Sequence, residues 1–111
     1  MAKPWKLTRQ AEASLTDIAA WTLENFGPRQ ADAYEADLIE RCDQIASGDI
    51  VGQECSILLG SKQDFGLRFA RAGQHFVVFL ENSEQILIVD FLHAASDLPR
   101  RLEMLRIMRG V

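Results

Sequence analysis

Cysteine is scarce in this chain, positive charge is in deficit, and no long hydrophobic run occurs. Each shortage closes off a class of function. Cys42 and Cys55 are the only cysteines among 111 residues, with no CxxC pair or His-rich spacing beside them. A metal site needs about four well-spaced ligands, so neither a metal nor any other cofactor is expected. The net charge is −4, and it is unevenly placed. Residues 1–65 carry six Lys/Arg against eleven Asp/Glu, and residues 66–111 six against five. A protein that grips nucleic acid by its phosphates carries the opposite sign, so wide-area nucleic-acid binding is excluded as a first reading. No run approaches a membrane span, and the segment MAKPWKLTRQAEA has no apolar stretch of signal-peptide length. The expected setting is the cytoplasm, with no membrane partner. Repeats, linkers and low-complexity tracts are also missing, which leaves one domain over 1–111.

What is present is a strong helical period followed by strands. Pro4 to Leu7 alternates and reads as a short strand. Thr8 is a suitable N-cap, and Ala11, Leu15, Ile18, Thr22 and Phe26 then recur on one helical face. Gly27 supplies a stop and Pro28 opens a second helix. Its core side carries Ala31, Tyr34, Leu38, Cys42 and Ile45, with Asp32, Asp37, Glu40 and Asp43 outside. Ser47-Gly48 ends it. So short a connection makes the pair an antiparallel hairpin. Residues 49–64 read as an irregular connector containing at most a short helical turn. Strands follow over Gly66–Arg71, Gln74–Glu81 and Gln85–Leu92, joined by Ala72-Gly73 and by a two-residue Asn82-Ser83 loop. The middle strand is apolar on both faces, as a central strand should be. Ser96 or Asp97 caps a last helix with Pro99 in its first turn. The expected fold is α+β. It has an N-terminal strand at one sheet edge, a helical hairpin packed on an antiparallel three- to four-stranded sheet, and a short C-terminal helix.

The residues resemble the ParE branch of the ParE/RelE toxin superfamily, found in bacterial toxin–antitoxin pairs. The resemblance runs through Leu15-x-x-Ile18 and Phe26-Gly27, then Gln30-Ala31 and Tyr34. It continues in Gly66-Leu67-Arg68, Gly73-x-His75-x-x-Val78-Phe79, and Leu92-His93 with Asp97 beyond. Ser96 and Asp90 stand where basic residues are common in the family, and Ala94 replaces a frequent Gly. The positive charge at that end of the sheet is thinned as a result. The resemblance implies a growth-inhibiting toxin held in a hetero-oligomer by a cognate antitoxin, of the type that joins a DNA-binding ribbon-helix-helix dimer to a wrapping tail. ParE-like relatives are associated with poisoning DNA gyrase. RelE-like relatives cleave mRNA on the ribosome, which is the alternative reading. A non-toxic protein-binding domain is a third.

An RNase would need a base, an acid and cations at the reacting phosphate. Arg68, Arg71, His75 and His93 are the candidates. Arg68 and Arg71 are three apart on a strand and so point to opposite faces. The only tyrosine is Tyr34, on the core side of a helix, and none lies near the C-terminus. Binding without catalysis is therefore expected. Each histidine also has a structural reading, with His93 pairing to Asp97 at the strand-to-helix corner. Arg68 is expected to bridge to an acidic residue of the hairpin or to receive one from the antitoxin. Trp21 and Leu23 flank the core row of the first helix and are the candidate antitoxin anchors. The last helix holds the one basic segment of an acidic chain, Arg100, Arg101, Arg106 and Arg109. Met104, Ile107 and Met108 lie beside it as adaptable apolar area. Arg101, Met104, Arg106, Ile107, Met108 and Arg109 are the candidate target contact.

Overall fold

The computed structural model of the chain describes residues 2–58 and 66–108. Strand β1 (Trp5–Leu7) runs directly into helix α1 (Arg9–Phe26). Thr8 makes that junction. Its hydroxyl oxygen accepts the Ala11 N–H at 3.1 Å while its O–H donates to the Val89 carbonyl at 2.8 Å. One side chain thus satisfies an orphan helix donor and ties the helix start to the sheet. Gly27, at φ 89°, ends α1 and lets Pro28 begin α2 (Pro28–Ser47) at once. The hairpin expected from the apolar period is the one observed.

Two further elements lie in the stretch expected to be irregular. These are the two-residue strand β2 (Gln53–Glu54) and the single-turn helix α3 (Cys55–Leu58). Then come β3 (Leu67–Ala72), β4 (His75–Glu81), β5 (Ile86–His93) and α4 (Leu98–Met108). The sheet order is β1-β5-β4-β3-β2. The α+β class and the edge position of the first strand hold, but the sheet has five strands and is mixed. β1 pairs parallel with β5, through Trp5↔Ile86 and Leu7↔Ile88, because the hairpin carries the chain back before β5 arrives. A two-residue strand has no period to read, which is why β2 escaped the pattern. The first turn falls one residue later than expected, on Gly73-Gln74. The second is a four-residue loop, 82–85, rather than two. There Asn82 Oδ1 accepts the N–H groups of Glu84 and Gln85, both at 2.8 Å.

β4 is the central strand and is covered on both sides. One face meets the hairpin through Ala11, Leu38, Cys42, Ile45, Val77, Phe79, Ile86, Ile88 and Phe91. The other meets α4 and α3 through Cys55, Leu67, Phe69, Val78, Val89, Leu92, Leu102 and Leu105. A bulge in β5 sets Phe79 opposite Ile88 and Val78 opposite Asp90, leaving Val89 as the extra residue. Its carbonyl is the one that accepts the Thr8 O–H. Cys42 is buried, as its place on the helix face required, and burial pushes both thiols up to about 12. At that pKa they are inert. Phe26 departs from its expected core row and is 63% exposed. It closes α1 at the end of the hairpin, where it flanks an open groove.

Candidate functional site

That groove measures about 740 Å³. α1 supplies Ile18, Trp21 and Phe26, α2 supplies Tyr34, and the end of the sheet supplies His75 and His93. Trp21 is 59% exposed, and its ring meets Phe26 edge-on at 5.7 Å. The two rings hold each other in place while keeping most of their surface in water. Leu23, on the same helix, is exposed as well.

The floor is polar and organised. His75 and His93 are directly opposite across the β4–β5 ladder, with ring centroids 5.1 Å apart. His93 Nδ1 accepts the Ala95 N–H at 3.0 Å. The Tyr34 hydroxyl accepts the Gln74 N–H at 3.0 Å and lies 2.6 Å from His75 Nδ1. Burial, and second the neighbouring His93, lower the His75 pKa to about 4, so this ring is neutral at pH 7. Burial is also the main cause that raises the Tyr34 pKa. Tyr34 therefore serves as a strut between helix and strand. Its place beside Gly73 is tight, since a Cβ there would stand 2.7 Å from Tyr34 Cε1.

Of the four residues a nuclease would use, the structure brings the two histidines together and leaves both arginines elsewhere. Arg68 bonds to the Val51 carbonyl at 3.3 Å and lies 3.8 Å from Glu54. Its acidic neighbour is thus on β2 rather than on the hairpin. Arg71 donates to the Gly73 carbonyl at 2.9 Å and its guanidinium stands 5.5 Å over the Phe76 ring. As expected from their spacing, the two face opposite sides of the sheet. Neither cation lines the groove, so among the described residues the histidine pair has no phosphate clamp beside it. The expected His93–Asp97 pairing is absent too. Asp97 instead caps α4, its Oδ1 facing the Arg100 N–H at 3.4 Å.

On the opposite face, α4 buries Leu102 and Leu105 and leaves Met104 54% and Ile107 64% exposed. Arg100 and Arg101 are exposed in the same helix. Arg109 and the side chains of Arg106 and Met108 lie outside the described residues. Among the described residues no group of three or more His, Cys, Asp and Glu side chains could hold a metal, and no helix is long and apolar enough to cross a membrane.

The site that composition hid is Asp90. It is only 3% exposed, accepts the Ser14 O–H at 2.5 Å and bonds its neighbour's backbone, Phe91 N–H, at 2.8 Å. Burial raises its pKa, against the hydrogen bonds that lower it. In sequence it was notable only for standing where the family commonly has a basic residue. In the fold it is a buried joint between β5 and α1.

Comparison with known proteins gives one consistent answer. A family model described as the ParE toxin of the type II toxin–antitoxin system parDE matches residues 5–98. Toxin ParE of Escherichia coli is 34% identical over 97 residues, covering 86% of this chain and 89% of that protein. Toxin ParE1 of Caulobacter vibrioides is 32% identical over 91 residues, covering 82% and 88%. Among solved structures, one titled as the chromosomal ParDE system of P. aeruginosa superposes with a TM-score of 0.66. It shares 20% identity and covers 83% of this chain and 96% of its own, a likeness of fold.

Proposed function

The chain belongs to the ParE toxin family of type II toxin–antitoxin systems, and from that premise we propose that it arrests growth by binding DNA gyrase and that a cognate antitoxin neutralises it. The surface of α4 carries the target half of this reading. Met104 and Ile107 stand exposed beside Arg100 and Arg101 on an otherwise acidic protein. Arginine and methionine are favoured at the centres of protein interfaces. The hairpin carries the antitoxin half, with Trp21 and Leu23 as anchors and Arg68 as a further contact. The antitoxin is a ribbon-helix-helix protein whose apolar tail helix lies in the groove and whose extended segment adds along a sheet edge.

Two assays test the target. The purified chain should inhibit supercoiling by gyrase and leave mRNA intact on stalled ribosomes. mRNA cleavage that disappears in His93→Ala would replace this reading with the nuclease one. Removal of residues 106–111 should abolish growth inhibition while antitoxin binding and melting temperature hold. Loss of all three together would make α4 structural.

A further inference from the structure

The groove on the hairpin side has a chemistry that specifies its occupant further. Its walls are Trp21, Phe26 and Ile18, and its floor is the His75–His93 pair. On His93 the Ala95 N–H occupies Nδ1 as an acceptor, so the neutral ring carries its hydrogen on Nε2. On His75 the assignment follows from Tyr34. That hydroxyl already accepts from Gln74, and its own hydrogen has two acceptors in reach, His75 Nδ1 at 2.6 Å and the Ala72 carbonyl at 3.3 Å. The shorter contact takes it, which leaves His75 with Nε2–H as well. The floor therefore offers hydrogen-bond donors and no positive charge.

Charge supplies the second constraint. α1 and α2 together hold eight carboxylates against three arginines, a balance of −5. Asp17 is the one carboxylate in the lining, and no lysine or arginine lines the groove among the described residues. Tyr34 also feels Asp37, and the Arg71 whose charge reaches it is turned to Phe76 and the Gly73 carbonyl. An occupant bringing a carboxylate would meet Asp17 and the acidic hairpin with no lysine or arginine among the described lining residues to pair with, a like-charge arrangement that weakens binding. An occupant bringing lysine or arginine at its edges meets the complementary field.

We propose that the groove receives a basic amphipathic segment of the antitoxin. The segment lays an aromatic or long aliphatic side chain against Trp21 and Phe26, gives an uncharged oxygen to the Nε2–H groups of His75 and His93, and sets lysine or arginine along the hairpin. The proposal rests on the reading that the hairpin face binds the antitoxin, and it adds the sign of the tail's charge and the neutral acceptor. His75, held neutral at pH 7, suits a carbonyl or amide oxygen better than a carboxylate.

The test uses the full chain and two synthetic amphipathic helical peptides with the same Trp- and Leu-bearing apolar face. One is flanked by lysines and the other by glutamates. The lysine peptide should bind at least about tenfold tighter at low salt, with the gap narrowing at high salt. NMR shifts should centre on the Trp21 indole and the His75 and His93 rings. His93→Phe, which keeps the ring and removes the donor, should weaken binding by about tenfold, and Phe26→Asp should abolish it. Equal affinities, a preference for the glutamate peptide, or binding that survives Phe26→Asp would each overturn the proposal. So would self-association of the chain alone that Phe26→Asp removes, since a second copy would then be the occupant. The cognate antitoxin judges the underlying reading separately. If it binds a folded Trp21→Asp/Leu23→Asp variant unchanged, the hairpin is not its site, whatever charge the peptides prefer.

Discussion

The sheet's two faces are closed by very different means. On one side a continuous hairpin, residues 9–47, lays Leu38, Cys42, Ile45 and Ala11 over Val77, Phe79, Ile86 and Ile88. On the other, the single turn of α3 and the 11 residues of α4 cover Leu67, Phe69, Val78 and Val89. The first cover is long enough to overrun the strands, so its apolar row ends in open groove walls, Trp21 and Phe26. The second is short, and its leftover apolar area, Met104 and Ile107, sits on the helix itself. A long cover makes a concave site and a short one a convex site. On the function proposed above, antitoxin and target would engage the protein from opposite sides of one sheet.

Core truncation is the largest test of this asymmetry. Phe79→Ala, at a fully buried position under the hairpin, should cost about 4 kcal/mol in denaturant unfolding. Leu102→Ala, on the buried side of α4, should cost about 3 kcal/mol and should release α4 first, seen as fast amide exchange confined to that helix. If α4 stayed protected, the second face would be as firmly closed as the first. Of comparable size is the functional test of the hairpin face, where Trp21 lines the groove and Leu23 stands exposed outside its lining. Trp21→Asp with Leu23→Asp should cost about 2 kcal/mol each in antitoxin affinity by calorimetry. Both side chains are exposed, so the melting temperature should barely move, and target inhibition should persist.

A smaller effect tests the strut that shapes the groove. Gly73 has φ 60°, and an added Cβ would stand 2.7 Å from Tyr34 Cε1. Gly73→Ala should cost about 2 kcal/mol of stability, from left-handed strain and displacement of the ring. It should also alter the NMR signals of His75, which the Tyr34 hydroxyl contacts. An unchanged His75 spectrum would mean that the ring is not held by Tyr34.

Much of this was legible in the sequence, for identifiable reasons. The hairpin was, because Ala11 to Thr22 and Ala31 to Ile45 repeat at a helical period and Gly27-Pro28 stops one helix and starts the next. The central strand was, because Gln74–Glu81 is apolar at successive positions. The parallel partner of β5 was not, since a three-residue alternation carries no direction. β2 exists only through pairing with Arg68 and Phe69. At the site, the histidines were nameable, but their meeting depends on the cross-strand register between β4 and β5, and Tyr34's hydroxyl on a contact 41 residues away. The burial of Asp90 was not legible because its environment is made by α1, through Ser14 some 76 residues earlier.

The last comparison sets His75 against Asp90, two partly or fully buried groups whose pKa values shift in opposite senses to stability. His75 ionises near 6.5 in an unfolded chain and near 4 in the fold. Between those values the unfolded chain binds more protons, so stability is full above about 6.5 and is lost as pH falls toward about 4. Asp90 is raised from its usual 3.8, chiefly by burial. Above the unfolded value the folded chain holds this proton more tightly, so acidification through that window adds stability and the ionised form detracts from it. The two therefore oppose each other in a melting-temperature profile against pH. His75→Phe should flatten the decline between pH 6.5 and 4, even if its absolute stability drops with the lost Tyr34 contact. Asp90→Asn, which keeps an oxygen for Ser14, should melt no lower than the parent at pH 7 and should fall more steeply on acidification. Parallel profiles for the parent and Asp90→Asn would mean that Asp90 titrates alike in the folded and unfolded chains. A profile for His75→Phe that stayed as steep as the parent's would assign the acid sensitivity to other groups.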